Sequence, residues 1–80
     1  MANILIVDDS PIIRRSLREI FEKMGHHVVA EAEDGWEALQ AFEKHKIDLT
    51  TMDIQLPGID GIETVRRIRG MRPDADIVMI

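Results

Sequence analysis

Apolar residues in this chain follow two rhythms. Residues 3–8 (Asn-Ile-Leu-Ile-Val-Asp) are a short, nearly continuous apolar run, the pattern of a strand buried on both faces. Directly after it the spacing changes: Ile13, Leu17, Ile20 and Met24 recur every three or four residues, with Arg14, Arg15, Arg18 and Glu22 on the other side. This predicts an amphipathic helix of about four turns. Ser10 suits its N-cap, Pro11 its first position and Gly25 its left-handed C-terminal cap. Residues 27–32 (His-Val-Val-Ala-Glu-Ala) read as a second strand, followed by Asp34 as N-cap of a helix that buries Ala38, Leu39 and Phe42. Residues 47–53 read as a third strand, Pro57, Gly58 and Gly61 as a loop, and Ile62, Val65 and Ile68 as a third helix ending before Pro73. Residues 76–80 read as a fourth strand.

The predicted order is βαβαβαβ. Strands alternating with helices imply a parallel sheet with right-handed crossovers. In the flavodoxin-like order, 2-1-3-4, strand 1 lies between strands 2 and 3, and the winding reverses between strands 1 and 3. The expected fold is therefore α/β, a doubly wound parallel sheet in one domain spanning residues 1–80.

Composition narrows the function classes. Eighty residues allow one domain with a thin core, and 45% hydrophobic with 31% charged residues is the balance of a soluble globular chain. A formal charge of −5 argues against direct nucleic-acid binding, which rests on neutralising phosphates. Absence of cysteine excludes disulfides and thiolate metal sites and agrees with a reducing cytoplasm. No signal-peptide pattern and no run near the ~20 apolar residues of a spanning helix is present, so neither export nor a membrane role is expected.

The chemistry lies where the apolar runs meet acid. Asp8 and Asp9 close strand 1 and Asp53 closes strand 3, the two strands bordering the switch point, where open α/β sheets place their ligands. Three carboxylates converging at one edge suit a hard cation and a phosphoryl group.

The segments LIVDDS, EAEDGWEAL, MDIQLPGIDG and DADIVMI together resemble the receiver domain of bacterial two-component response regulators, particularly the stand-alone chemotaxis type. Leu56 stands where that family most often has methionine. The resemblance implies a signalling phosphoacceptor, not an enzyme beyond its own phosphotransfer and dephosphorylation. It implies a phosphoryl group accepted by Asp53 from the phosphohistidine of a sensor histidine kinase. Mg²⁺ would be held by Asp8, Asp9, Asp53 and the backbone carbonyl of Gln55. In the family a hydroxyl residue follows the fourth strand, and a fifth strand then delivers a lysine before a last helix. The chain stops at Ile80, so the resemblance implies a truncated receiver lacking that strand and helix, with slow phosphorylation and no switch. A homodimer is then expected, by fourth-strand edge pairing or segment exchange, because an open apolar edge is a template for another chain. The alternative function is a self-associating interaction module or fragment that is not phosphorylated efficiently.

Other features read more plainly. Arg14, Arg15 and Arg18, and Arg66, Arg67 and Arg69, are expected to be solvated helix faces. His26, His27 and His45 do not sit mid-helix on an exposed face as a phosphohistidine carrier would require, and Trp36 reads as boundary packing. An EF-hand fails because Pro57 occupies the fifth ligand position after Asp53. An aspartate-nucleophile phosphohydrolase fails too, because Ser10 and Gln55 stand where its second aspartate belongs.

Overall fold

A computed structural model describes all residues, 1–80. Four strands alternate with three helices: β1 (Asn3–Val7), α1 (Pro11–Lys23), β2 (His27–Ala32), α2 (Gly35–Lys44), β3 (Leu49–Met52), α3 (Gly61–Met71) and β4 (Asp76–Met79). All pairings are parallel and the sheet order is β2-β1-β3-β4, as the sequence predicts. The β1–β2 register slips between Ile4 and Leu5, where β2 carries one extra residue.

Three strands end earlier than their apolar runs. β1 stops at Val7, not Asp8; β3 covers Leu49–Met52, not 47–53; β4 stops at Met79. The ladder still reaches one amide further, since Asp8 N–H donates to the Ala32 carbonyl and Asp53 N–H to the Val7 carbonyl, both at 3.0 Å. The acidic residues are thus tied to the sheet by their amides while their carbonyls have left it.

Each helix begins at a side-chain cap. Ser10 Oγ accepts from the Ile13 amide at 3.3 Å, and Asp34 and Asp60 accept from the Glu37 and Glu63 amides at 2.8 Å. Gly25, at φ +86°, makes the left-handed turn that ends α1, where a side chain would be strained.

The sheet separates two apolar layers. Leu5, Val7 and Met52 pack with Ala38 and Phe42 of α2 and Ile68 of α3. Ile4, Ile6 and Val28 pack on the opposite side with Leu17 and Phe21 of α1. The helical faces differ in detail from the sequence pattern. On α3 the buried positions are Gly61, Thr64 and Ile68, while Ile62 is exposed. No residue of α1 is fully buried; Ile13, Ile20 and Met24 are exposed and Leu17 with Phe21 makes the contact. No helix is long and apolar enough to cross a membrane.

Candidate functional site

The acidic residues at the ends of β1 and β3 converge. One carboxylate oxygen from each of Asp8, Asp9 and Asp53 lies within 4.8 Å of the others. Asp8 is buried, Asp53 half-buried and Asp9 exposed, so the cluster is open to solvent through Asp9.

Asp8 and Asp53 are set by the same local turn. Asp8 Oδ1 accepts from the Ser10 amide at 2.9 Å, and Asp53 Oδ1 accepts from the Gln55 amide at 3.1 Å. Each is an aspartate bonding the backbone two residues on, which fixes the side-chain torsion and leaves the second oxygen free. Asp9 makes no such turn and lies directly before the Ser10 cap, where the positive end of the α1 dipole favours negative charge.

The loop after Asp53 is held on several sides. Ile54 N–H donates to the Ile80 carbonyl at 3.4 Å, Ile80 N–H to the Met52 carbonyl at 2.8 Å, and Gly61 N–H closes the loop onto the Ile54 carbonyl at 3.0 Å. Gly61 packs so tightly on the Asp53 carbonyl that a Cβ would collide with it. Gln55, whose backbone carbonyl the resemblance assigns to the metal, is exposed in this loop.

Trp36 of α2 lies half-exposed against the same loop. A Cβ on Gly58 would lie 3.3 Å from its indole nitrogen, and the Arg67 guanidinium sits 5.1 Å from its ring centroid. It is boundary packing, as expected, and it also touches the segment that follows Asp53.

The arginines of α1 are not simply solvated. Arg14 Nε donates to Glu31 at 3.1 Å and Arg18 Nε to the other Glu31 oxygen at 2.6 Å, while Arg14 Nη1 donates to the Asp8 carbonyl at 2.7 Å. Burial works against the Glu31 carboxylate, but the hydrogen bonds and charges of Arg18 and Arg14 outweigh it and hold the group below its ordinary range. Arg18 is raised in turn, first by its hydrogen bond to Glu31. Helical periodicity places these arginines on one side of α1 but cannot say that Glu31 of β2 and the Asp8 carbonyl lie opposite. Arg66 and Arg67 match the expectation better, both pairing with Glu63 within α3. His26 accepts the Ala2 amide through Nδ1 at 3.0 Å, a structural role.

The donor set is all oxygen and all anionic, which suits a hard divalent cation, and three carboxylates this close repel one another without one. The cluster sits at the switch point of a doubly wound parallel sheet, where open α/β sheets bind their ligands, so fold and site define an α/β domain whose ligand edge is suited to a divalent cation. The sequence pattern described as "Response regulator receiver domain" matches residues 4–80, and the chain belongs to that family. It is 43% identical over 76 residues to the chemotaxis protein CheY of Bacillus subtilis, covering 95% of this chain and 63% of that protein. It is 46% identical over 77 residues to a protein-glutamate methylesterase/protein-glutamine glutaminase of Hahella chejuensis, covering 96% of this chain but 22% of that protein. The chain therefore spans less than two thirds of either relative. Among solved structures it is similar to the response regulator protein TrrA of Thermotoga maritima in complex with Mg(2+)-BeF, at TM-score 0.92 and 42% identity, covering 99% of this chain and 68% of that one. TrrA has also been solved in complex with the histidine kinase ThkA.

Proposed function

We propose that this chain accepts a phosphoryl group on Asp53 from the phosphohistidine of a sensor histidine kinase, with Mg²⁺ held by Asp8, Asp9, Asp53 and the Gln55 carbonyl. The observation that carries the reading is the convergence of the three carboxylates at the ends of β1 and β3. The complexes of TrrA with Mg(2+)-BeF and with a histidine kinase support it.

Asp53 is the acceptor because it closes β3 and projects from the loop that α3 packs against, with Oδ1 tied by the Gln55 amide and the second oxygen free to attack. That oxygen forms the new P–O bond as the donor's P–N bond breaks. The electron pair stays on the imidazole nitrogen, which takes up a proton. When bound, Mg²⁺ neutralises charge on the phosphoryl oxygens and on the crowded carboxylates. The Ser10 and Gln55 amides contribute what the chain itself can supply, carboxylates already oriented before the donor arrives.

Incubation with a small acyl phosphate and Mg²⁺, followed by intact-mass analysis, tests this. The expected product is a single acid-stable, base-labile phosphoryl adduct that is absent from Asp53→Asn. An adduct of equal yield in the variant removes Asp53 from the role. Calorimetric Mg²⁺ titration is the companion measurement, with weak binding expected in the wild type and none in an Asp9→Ala/Asp53→Ala variant.

A specific observation also favours the second reading, self-association of the 80-residue chain. Ile13 and Ile20 of α1 are 44% and 53% exposed, and Val78 and Ile80 are 51% and 56% exposed beside a β4 edge paired on one side only. Both properties can coexist in one chain, since the acidic cluster lies at the strand ends and not along that edge.

A further inference from the structure

Asp8 is buried, and β1 ends one residue before it, so its carbonyl has left the ladder and needs another donor. Arg14 supplies it: Nη1 reaches the Asp8 carbonyl at 2.7 Å while Nε of the same guanidinium holds Glu31 at 3.1 Å. Glu31 is held on its other oxygen by Arg18 at 2.6 Å. The Arg14 side chain is only 16% exposed, so this contact is shielded from competing water. Asp8 is consequently fixed at all three polar handles, its amide by the Ala32 carbonyl, its carboxylate by the Ser10 amide and its carbonyl by Arg14.

We propose that Arg14 is a positioning residue for the acidic site. Anchored by Glu31, it fixes the Asp8 carbonyl and thereby the direction in which the Asp8 carboxylate faces Asp9 and Asp53. The proposal deepens the cation-site reading above and rests on it. A planar guanidinium can serve two acceptors in fixed directions, which a lysine ammonium on a flexible stem does not reproduce. Lysine at position 14 would keep the charge facing Glu31 and lose the second, directed bond.

The test compares wild type, Arg14→Lys, Arg14→Ala and Glu31→Gln as the whole chain, by two measurements. The first is amide hydrogen exchange of Ser10, which reports the Asp8 turn, taken as a ratio to exchange of the core Thr50 amide so that a general loss of stability cancels. The second is the Mg²⁺ dissociation constant from calorimetry. In Arg14→Lys the Ser10 ratio is expected to rise about tenfold, the scale of one lost hydrogen bond to a charged group, with Mg²⁺ binding weakened by a similar factor. Glu31→Gln is expected to shift both in the same direction by less. An unchanged Ser10 ratio in both Arg14 variants overturns the proposal, as does unchanged Mg²⁺ affinity in Arg14→Lys when the wild type binds through Asp9 and Asp53. If the Asp9→Ala/Asp53→Ala control binds Mg²⁺ as the wild type does, the cation-site reading fails instead. The Ser10 ratio still decides whether Arg14 positions Asp8.

Discussion

Asp8 and Asp53 lie on different strands yet use one device, a carboxylate oxygen spent on the amide two residues ahead. That choice engages one carboxylate oxygen of each residue and fixes the direction of the other. The neighbouring glycine is part of the same arrangement. Gly61→Ala would drive a methyl group into the Asp53 carbonyl and toward the Ile54 Cα at 3.0 Å, both backbone atoms that cannot rotate away. We expect a loss of about 1–3 kcal/mol in urea unfolding, the cost of overpacking, together with a displaced Trp36 emission because Trp36 rests on the same loop. Unchanged stability would show that the loop yields freely. Thr50 offers the opposite case. It is fully buried with a hydroxyl that has no partner, so Thr50→Val should stabilise the chain by about 1 kcal/mol; a loss would reveal a bond from that hydroxyl. The three aspartates were legible in sequence because each follows an apolar run, which locates a strand end. Arg14 was not, because its acceptors come from β1 and β2, and periodicity within α1 carries no information about them.

At the scale of elements, caps and strand runs made the order readable, since Ser10 and Asp34 announce their helices by side-chain chemistry alone. Faces were less readable. On α3 the small residues Gly61 and Thr64 are buried where close approach to the β3 loop and α2 leaves little room, and Ile62 is turned outward. On α1 polar function shares the inner face, with Arg14 and Arg18 joining the helix to β2 through Glu31. This link has a pH signature. The folded-state value of Glu31 lies below that of the unfolded chain, near 4.3. Its contribution is therefore fully present above about pH 4.3 and is lost as pH falls through the lower folded-state value. Because the group is partly solvated, the contribution should stay below about 1 kcal/mol. Denaturation of wild type and Glu31→Gln should differ at neutral pH and converge in acid. A difference that persists in acid, after Glu31 has been protonated in the folded chain, would assign the effect to packing rather than charge.

Over the whole molecule, the near-continuous apolar run of β1 needs cover on both faces of the sheet, and the helices supply it. Ile4, Leu5, Ile6 and Val7 are all 0–1% exposed, the even positions under α1 and the odd ones under α2 and α3. Among the large apolar residues left uncovered are Ile13 and Ile20 on α1 with Met24 at its C-cap, and Val78, Met79 and Ile80 at the end of the sheet. β4 pairs with β3 on one side and has no partner on the other, so its outer N–H and C=O groups are free to accept another strand. An apolar strand with an open ladder is satisfied most directly by a second copy of itself, because one contact then supplies both the hydrogen bonds and the apolar cover. The 80-residue chain is therefore expected to sediment as a dimer at micromolar concentration, and Val78→Lys, which places a charge on the open strand, should shift it to monomer without unfolding it. Mg²⁺ affinity should be equal in both forms, since the acidic cluster lies at the strand ends. A wild-type chain that sediments as a monomer and binds no hydrophobic dye would show that these apolar residues and the edge are tolerated in water, and the self-association reading would then be withdrawn.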